Sequence, residues 1–271
     1  MFHYVPRNGD GIPKNAIEVS FNPSITYLPK LHNEIKSLKI NCYHILSFPD
    51  LPTKLKFFDC SLSNIATIPK LPSSLIGFSC FHCKRLKKLP ELPENLKELD
   101  FHDTNIASLP KLPEKLRTLN CSGTKITNLP ELPANLEKLV INNTKIARLP
   151  KLPMGLRILF CCKTKISALT DLPDSLEELY CTNTNITVLP HLPIKLNTLI
   201  FDKEKIILLK SYKNININIE VIKILQNKEE QIQKLQKQIE ELKLQVKLLP
   251  GGELYLKAKE DFEERTKNFE V

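Results

Sequence analysis

Glycine is scarce in this chain, which contains 7 glycines in 271 residues. We find no phosphate-binding loop, no Gly-x-Gly-x-x-Gly fingerprint, no Gly-x-Ser-x-Gly elbow and no His-Glu-x-x-His motif. Loops that cradle phosphates and dinucleotides need glycines at fixed spacings, so their scarcity argues against such a loop. The sequence therefore predicts a protein that is not an enzyme and that binds no cofactor.

Long apolar runs and a secretory leader are missing as well. No segment approaches the ~18 consecutive apolar residues of a membrane-spanning helix. The first ten residues, MFHYVPRNGD, contain neither a basic start nor an apolar stretch, so they do not have the pattern of a signal peptide. We therefore expect no membrane contact and a location in the cytoplasm or nucleoplasm.

The sequence does contain a repeat with a period of 20 residues. Residues 89 to 108 read LPELPENLKELDFHDTNIAS, and residues 109 to 128 read LPKLPEKLRTLNCSGTKITN. The shared pattern, LPxLPxxLxxLx(C/F/I)xxTxIxx, starts at Leu89, Leu109, Leu129, Leu149, Leu169 and Leu189. Less regular copies start at Leu28, Phe48 and Ile68, which makes nine units over residues 28 to 208. Self-similarity at such a period is typical of a solenoid.

Each unit divides into a strand and an extended return. Its second half alternates apolar and polar residues, as in Leu96-x-x-Leu99-x-Phe101, which predicts a short strand with one buried face. Its first half carries two prolines, such as Pro90 and Pro93, which exclude a helix interior and favour polyproline II. We expect the strands to form a parallel β-sheet on the concave face and the returns to form the convex face.

This pattern resembles the LPxLP-type leucine-rich repeats of secreted bacterial effectors and some viral proteins, with threonine where most families carry asparagine. The resemblance implies a leucine-rich-repeat horseshoe that binds another protein. It also implies the host-cell cytoplasm as the location, if the chain is an effector or a viral protein. Such effectors often carry a ubiquitin-ligase domain with a catalytic cysteine beyond the repeats. Residues 209 to 271 contain no cysteine, so that activity is not expected here.

The eight cysteines do not predict disulfide bonds. Five of them recur at the same inward strand position of different units, where a cysteine acts as a small apolar side chain: Cys60, Cys80, Cys121, Cys161 and Cys181. A disulfide framework is instead typical of small secreted domains, in which the bonds close loops. We therefore expect free thiols and a reducing compartment.

The two ends of the chain depart from the repeat. Residues 1 to 27 contain a divergent unit with Val19 and Phe21 at strand positions, and we expect it to cap the N-terminal end of the core. Its Ile-Pro-x-x-x-Ile and Phe-Asn-Pro-x-Ile segments also look like the FNIP repeat. Residues 209 to 220 alternate isoleucine with asparagine over part of their length, which predicts a closing strand or linker.

Residues 221 to 249 have the 3-and-4 apolar spacing of a coiled-coil helix. One heptad position holds mostly β-branched residues and the other holds leucine: Leu225, Ile232, Ile239 and Val246 at the first, and Leu235, Leu242 and Leu249 at the second. This distribution favours a parallel two-stranded coiled coil and thus a homodimer. The alternative is that the helix folds back and caps the last repeat. We expect a further short helix in residues 253 to 271.

The outward strand positions predict where a partner binds. One such position is polar in five consecutive units and apolar in the next four: Lys39, Asp59, Ser79, Asp100, Asn120, then Val140, Phe160, Tyr180 and Ile200. Exposed apolar strips are rare on soluble monomers, and Tyr and Phe are typical interface anchors. We predict a partner-binding strip on the concave face that contains Val140, Ile158, Phe160, Tyr180 and Ile200. The alternative is that the C-terminal helix covers this strip.

A row of lysines supports a second function. Lys125, Lys145 and Lys165 follow the threonine of successive units. Residues 211 to 271 hold 11 Lys/Arg and 11 Asp/Glu, so the rest of the chain carries the whole net charge of +9. A basic edge is typical of nucleic-acid binding, but no aromatic residues alternate with these lysines to stack bases. A nucleic-acid-binding solenoid and a structural component of a particle remain alternatives to a protein-binding module.

Six residues of two adjacent units are of the types that bind zinc: Cys80, His82, Cys83, Asp100, His102 and Asp103. Cys80 belongs to the inward ladder, however, and Cys83 stands at the threonine position of its unit. The sequence pattern alone therefore predicts no metal site.

Overall fold

The computed structural model describes residues 3–6, 11–169, 171–202 and 219–248. The chain divides into two compact units, Met1–Ile215 and Asn216–Val271. The described part of the first unit consists of β-strands and irregular returns, and the described part of the second is one α-helix.

The described residues up to 202 contain eleven short strands in chain order: β1 (His3–Tyr4), β2 (Glu18–Ser20), β3 (Ser37–Lys39), β4 (Phe57–Asp59), β5 (Gly77–Ser79), β6 (Glu98–Asp100), β7 (Thr118–Asn120), β8 (Lys138–Val140), β9 (Ile158–Phe160), β10 (Glu178–Tyr180) and β11 (Thr198–Ile200). They form one sheet in which each strand pairs with the next in sequence. All pairs are parallel, and equivalent positions face each other, as Leu99 faces Leu119 and Leu119 faces Leu139. The predicted parallel solenoid is confirmed.

The core is a set of ladders that run along the solenoid. The middle residues of β2 to β10 are at most 3% exposed: Val19, Leu38, Phe58, Phe78, Leu99, Leu119, Leu139, Leu159 and Leu179. Leucines of the returns, such as Leu116 and Leu136, are 0% exposed. Each large aliphatic side chain contributes roughly 1.5 to 3 kcal/mol, but only when neighbouring units cover it. The units therefore stabilise one another and do not fold alone.

The returns contain no helix among described residues 11–169 and 171–202, as the prolines predict. The carbonyl of the second proline accepts a hydrogen bond from the leucine three residues on. Pro93 and Leu96 are joined in this way at 3.0 Å, as are Pro113 and Leu116. This turn leads the chain from the return into the next strand, so the proline pattern positions the strand that follows.

A buried threonine closes the turn after each regular strand. The hydroxyl of Thr124 donates to the carbonyl of Cys121 at 2.7 Å, and Thr144 donates to Ile141 at 2.8 Å. One residue earlier the backbone takes a left-handed φ, +64° at Gly123 and +55° at Asn143. The threonine hydroxyl thus satisfies a buried carbonyl that the turn leaves without a strand partner.

The helix α1 (Ile219–Leu248) contains 30 residues. It covers residues 221–248 of the predicted coiled-coil stretch, and the coiled coil itself stays a prediction. Within the helix, Lys234 Nζ lies 2.9 Å from Glu230 Oε1, one turn away. The helix begins two residues before its predicted start, so residues 219 and 220 belong to it rather than to the predicted closing strand or linker. Ile219 and Ile222 already stand at the i, i+3 spacing of a helix. Residues 209–218, Leu249 and the predicted helix at 253–271 lie outside the described residues. No helix in the described ranges is long and apolar enough to cross a bilayer.

Candidate protein-binding surface

The open face of the sheet is the face directed away from the core, and it carries the first and third residue of each strand. In β9, Ile158 and Phe160 flank the buried Leu159. In β10, Glu178 and Tyr180 flank Leu179 in the same way. Because successive side chains of a strand point to opposite faces, each three-residue strand presents two outward side chains on this face.

The strand register brings the predicted apolar residues together. Val140, Phe160, Tyr180 and Ile200 occupy paired positions of β8 to β11. The ring centroids of Phe160 and Tyr180 are 4.3 Å apart with an interplanar angle of 57°. The predicted strip is thus one continuous set of side chains, and its two aromatic rings contact each other.

Exposure differs along this strip. Ile200 is 46% exposed, whereas Ile158, Phe160 and Tyr180 are half-buried. Val140 was expected to be exposed but is only 9% exposed, because its short side chain lies between those of the paired strands on either side. We therefore call Ile158, Phe160, Tyr180 and Ile200 the apolar patch. Val140 is buried next to it, on the strand that pairs with β9.

Charged residues frame the apolar patch. Lys138 Nζ lies 5.8 Å from the centroid of the Phe160 ring, in the range of a cation–π contact. Arg157 donates two hydrogen bonds to Glu177, at 2.9 and 2.8 Å. These hydrogen bonds hold the pKa of the Glu177 carboxyl below its usual range. The contact between Lys138 and Phe160 is not among the predictions from the sequence. The sequence does contain its signal, because Lys138 is diagonal to Phe160 on the adjacent strand.

The N-terminal half of the open face is polar and largely satisfied within the chain. Lys39 Nζ is 3.7 Å from Asp59 Oδ2, and the hydroxyls of Ser61 and Ser79 are 2.9 Å apart. Further along, the amide of Asn120 lies 3.3 Å from the ring of His102. This half therefore presents mainly hydrogen-bonding groups to a partner, together with the aromatic side chain of Phe57, which is outward on β4 and 47% exposed.

The lysine row lies at the turns after the strands. Lys125, Lys145 and Lys165 are exposed, and each follows a buried threonine. The backbone N–H groups of Lys125 and Lys165 donate to Ile106 and Ile146 of the preceding unit, both at 2.9 Å. Backbone hydrogen bonds between units therefore hold Lys125 and Lys165 in place, while the side chains of all three lysines are exposed to solvent.

The two cysteines near the histidines are core residues. Cys80 and Cys83 are 0% exposed, and Cys83 Sγ lies 3.2 Å from the Cys60 carbonyl. Cys83 occupies the turn-threonine position of its unit, as the sequence predicts. Its Sγ contacts a carbonyl of the preceding unit, however, whereas a turn threonine donates to the carbonyl three residues earlier in its own unit. All eight cysteines are free thiols, and Cys162 alone among them is half-buried.

The solved structures similar to this chain include two YopM proteins of Yersinia. YopM of Yersinia pestis, described as a leucine-rich effector protein, is 28% identical with a TM-score of 0.64, over 73% of this chain and 57% of YopM. YopM of Yersinia enterocolitica WA-314 is 26% identical with a TM-score of 0.56, over 72% of this chain and 53% of YopM. The chain thus spans little more than half the length of each. No protein-family model and no curated protein matches the sequence.

Proposed function

We propose, since the chain is a leucine-rich-repeat solenoid of the 20-residue type similar to effector solenoids, that it is a protein-binding module without catalytic activity. We place the binding surface on the open face of the sheet, which we take as the concave face of the horseshoe. The partner is another protein, and the setting that the similarity suggests is the cytoplasm of a host cell.

The apolar patch is the observation that carries this proposal. Phe160, Tyr180 and Ile200 lie side by side in the row of third strand residues, with Ile158 beside Phe160 on β9, whereas that row is polar from β3 to β7. Phe160 and Tyr180 support no inward ladder, so the core does not explain their size. Aromatic side chains that are half-buried before binding lose little conformational freedom on binding, which suits them as interface anchors.

The arrangement also suggests what the partner presents. An aliphatic or aromatic side chain fits against Phe160 and Tyr180, and an acidic group fits beside Lys138 at the edge of the patch. Polar groups of the partner then face the N-terminal half, from Lys39 to Asn120. A surface with both characters gives specificity through its polar half and affinity through its apolar half.

The partner is identified by photocrosslinking on the open face. A photoreactive residue replaces Thr198, which is outward on β11 beside the apolar patch. The crosslinked protein is purified from cell extract and identified by mass spectrometry. Binding of the purified partner is then measured with the unmodified chain and with two variants.

The test variant is Phe160→Glu with Tyr180→Asp, which puts two charges into the apolar patch. We expect its affinity to fall by at least a hundredfold while its melting temperature moves little, because outward residues support no ladder. The matched control is Met154→Glu with Val188→Asp, which adds the same charge at side chains 70% and 62% exposed outside the open face. The control should bind as the unmodified chain does.

Equal binding by the test variant and the unmodified chain, with the fold intact, would place the site elsewhere. The lysine row would then be tested by replacing Lys125, Lys145 and Lys165 with glutamine. A binding constant that falls steeply with salt, and less steeply in that variant, would favour a nucleic acid or another polyanion as the partner.

A further inference from the structure

Two histidines and an aspartate of adjacent units come together at the carboxyl ends of β5 and β6. One possible ligand atom from each of His82, His102 and Asp103 lies within 4.8 Å of the other two. His82 Nε2 is 3.4 Å from Asp103 Oδ2. Imidazole nitrogen and carboxylate oxygen are donors for zinc and other divalent first-row metals.

The left-handed turn position brings these residues together. His82 and Asp103 occupy it in consecutive units, with φ of +57° and +55°. The backbone N–H of His82 donates to the carbonyl of His102 at 2.9 Å, which fixes the two turns against each other. Five other units have the same left-handed position, and they carry Leu62, Gly123, Asn143, Lys163 and Asn183 there. The described repeats therefore contain this combination of donors at one place.

A carboxylate orients the His102 ring. His102 Nδ1 lies 2.6 Å from Asp100 Oδ1 and 3.3 Å from Asn120 Nδ2. The much shorter contact is to a carboxylate oxygen, which accepts, so it places the hydrogen on Nδ1. In the neutral ring the lone pair is then on Nε2. The Phe81 ring stacks on the same imidazole at 4.7 Å and 10°, which limits its rotation. A carboxylate that holds the far nitrogen of a histidine is the usual support of a metal-binding imidazole.

Glycine in the next unit leaves room for the Asp103 carboxylate. Gly123 follows Asp103 at the same turn position, and a side chain there would collide with Oδ1 of Asp103. Its left-handed φ of +64° also favours glycine. The carboxylate is thus confined between Gly123 and the histidines.

We propose that His82, His102 and Asp103 bind one zinc ion or a similar divalent first-row metal at this end of the strands. Asp100 is a positioning residue that acts through His102. Three protein ligands leave a coordination position for water or for a donor from a bound protein. The site is independent of the proposed partner-binding function, and Cys80 and Cys83 take no part in it because both are 0% exposed.

The test uses the full chain without a histidine tag, purified in the presence of a chelator and then desalted. Calorimetric titration with zinc chloride should show one strong equivalent. His82→Asn and Asp103→Asn should each weaken binding by at least tenfold. Both variants keep the turn, because Asn143 and Asn183 occupy the same left-handed position in other units. The matched control His191→Ala, at an exposed histidine outside the cluster, should bind zinc as the unmodified chain does.

The positioning role and the ligand type have separate readouts. Asp100→Asn should weaken zinc binding by about tenfold while leaving one equivalent bound. The cobalt-loaded chain should show ligand-field bands without a sulfur-to-metal charge-transfer band, because no thiolate is a ligand. A sulfur band, equal zinc affinity in His82→Asn, or no binding at all would overturn the proposal. The last result would leave only a contact between the side chains of His82 and Asp103.

Discussion

At the scale of single residues, the turn threonines show how a side chain completes the backbone. The hydroxyl of each turn threonine donates to a carbonyl that lies three residues earlier, as between Thr144 and Ile141 at 2.8 Å. A buried carbonyl without a donor costs about 1 to 3 kcal/mol. Threonine in these turns therefore satisfies a backbone carbonyl that the strand pairing does not reach.

Thr144→Val tests that role because valine keeps the shape and removes the hydroxyl. We expect the free energy of unfolding to fall by about 1 to 3 kcal/mol, measured by denaturant titration. Thr144→Ser, which keeps a donor, should lose less. The control Thr187→Val is at an exposed threonine and should stay within about 0.5 kcal/mol of the unmodified chain. Equal stability of Thr144→Val and the control would mean that the hydroxyl is dispensable.

The sequence predicts which residues point inward, but it does not predict which side chains of different units contact each other. The alternation around Leu119 indicates its burial because one strand face must enter the core. The burial of Val140 depends on the sizes of side chains on two other strands. The meeting of His82 with Asp103 depends on turn geometry at positions 21 residues apart, which no local periodicity reports.

At the scale of elements, the strands and the helix follow different rules. A three-residue strand such as β7 has no stability alone, and its place is fixed by pairing on both sides. The helix α1 is long and has apolar residues at heptad spacing. Two of these, Leu235 and Ile239, remain 57% and 49% exposed. The helix itself was predictable from the sequence, whereas its packing partner was not.

We predict that α1 forms a parallel coiled coil with a second copy of the chain. Light scattering at micromolar concentration should give a dimer mass, because burying Leu235 and Ile239 favours association. Leu235→Glu with Ile239→Glu should give a monomer. The control Asn227→Glu with Gln233→Glu adds the same charge at exposed positions outside the seam and should stay dimeric. Two solenoids per particle would allow bivalent capture.

A monomer mass for the unmodified chain would contradict the coiled coil. In that case deletion of residues 221–271 distinguishes the remaining alternative. A lower melting temperature of the repeats after this deletion would support a helix that caps the last unit.

At the scale of the whole molecule, the cysteines form part of one core. Five of them are buried at equivalent inward positions spread over the solenoid: Cys60, Cys80, Cys121, Cys161 and Cys181. Burial raises the pKa of the Cys121 thiol to about 12, and it does the same at Cys181. The folded chain therefore keeps these thiols neutral in alkaline solution, whereas the unfolded chain ionises them.

This difference predicts a loss of stability in alkali. The contribution is fully present below the unfolded pKa of about 8.5 and is lost as pH rises towards about 12. Each such thiol should remove about 1.4 kcal/mol per pH unit in that range. Denaturant midpoints between neutral pH and pH ~10 measure the slope. Cys121→Ala with Cys181→Ala should make the slope shallower without abolishing it, because burial also raises the pKa of Cys60, Cys80 and Cys161. An unchanged slope would contradict the assignment to these thiols.

Because all strands pair in the same register, the number of units can change without changing how the units pair or which side chains they present. Every unit joins the next through the same backbone pairing, so duplication or loss of a whole unit leaves two strands that still match. Even the step from β5 to β6, which pairs Gly77 with Glu98 across 21 residues, keeps that register because the loop takes up the extra residue. Evolution can therefore lengthen the open face by one strand, or recode two outward side chains, without redesigning the neighbouring units.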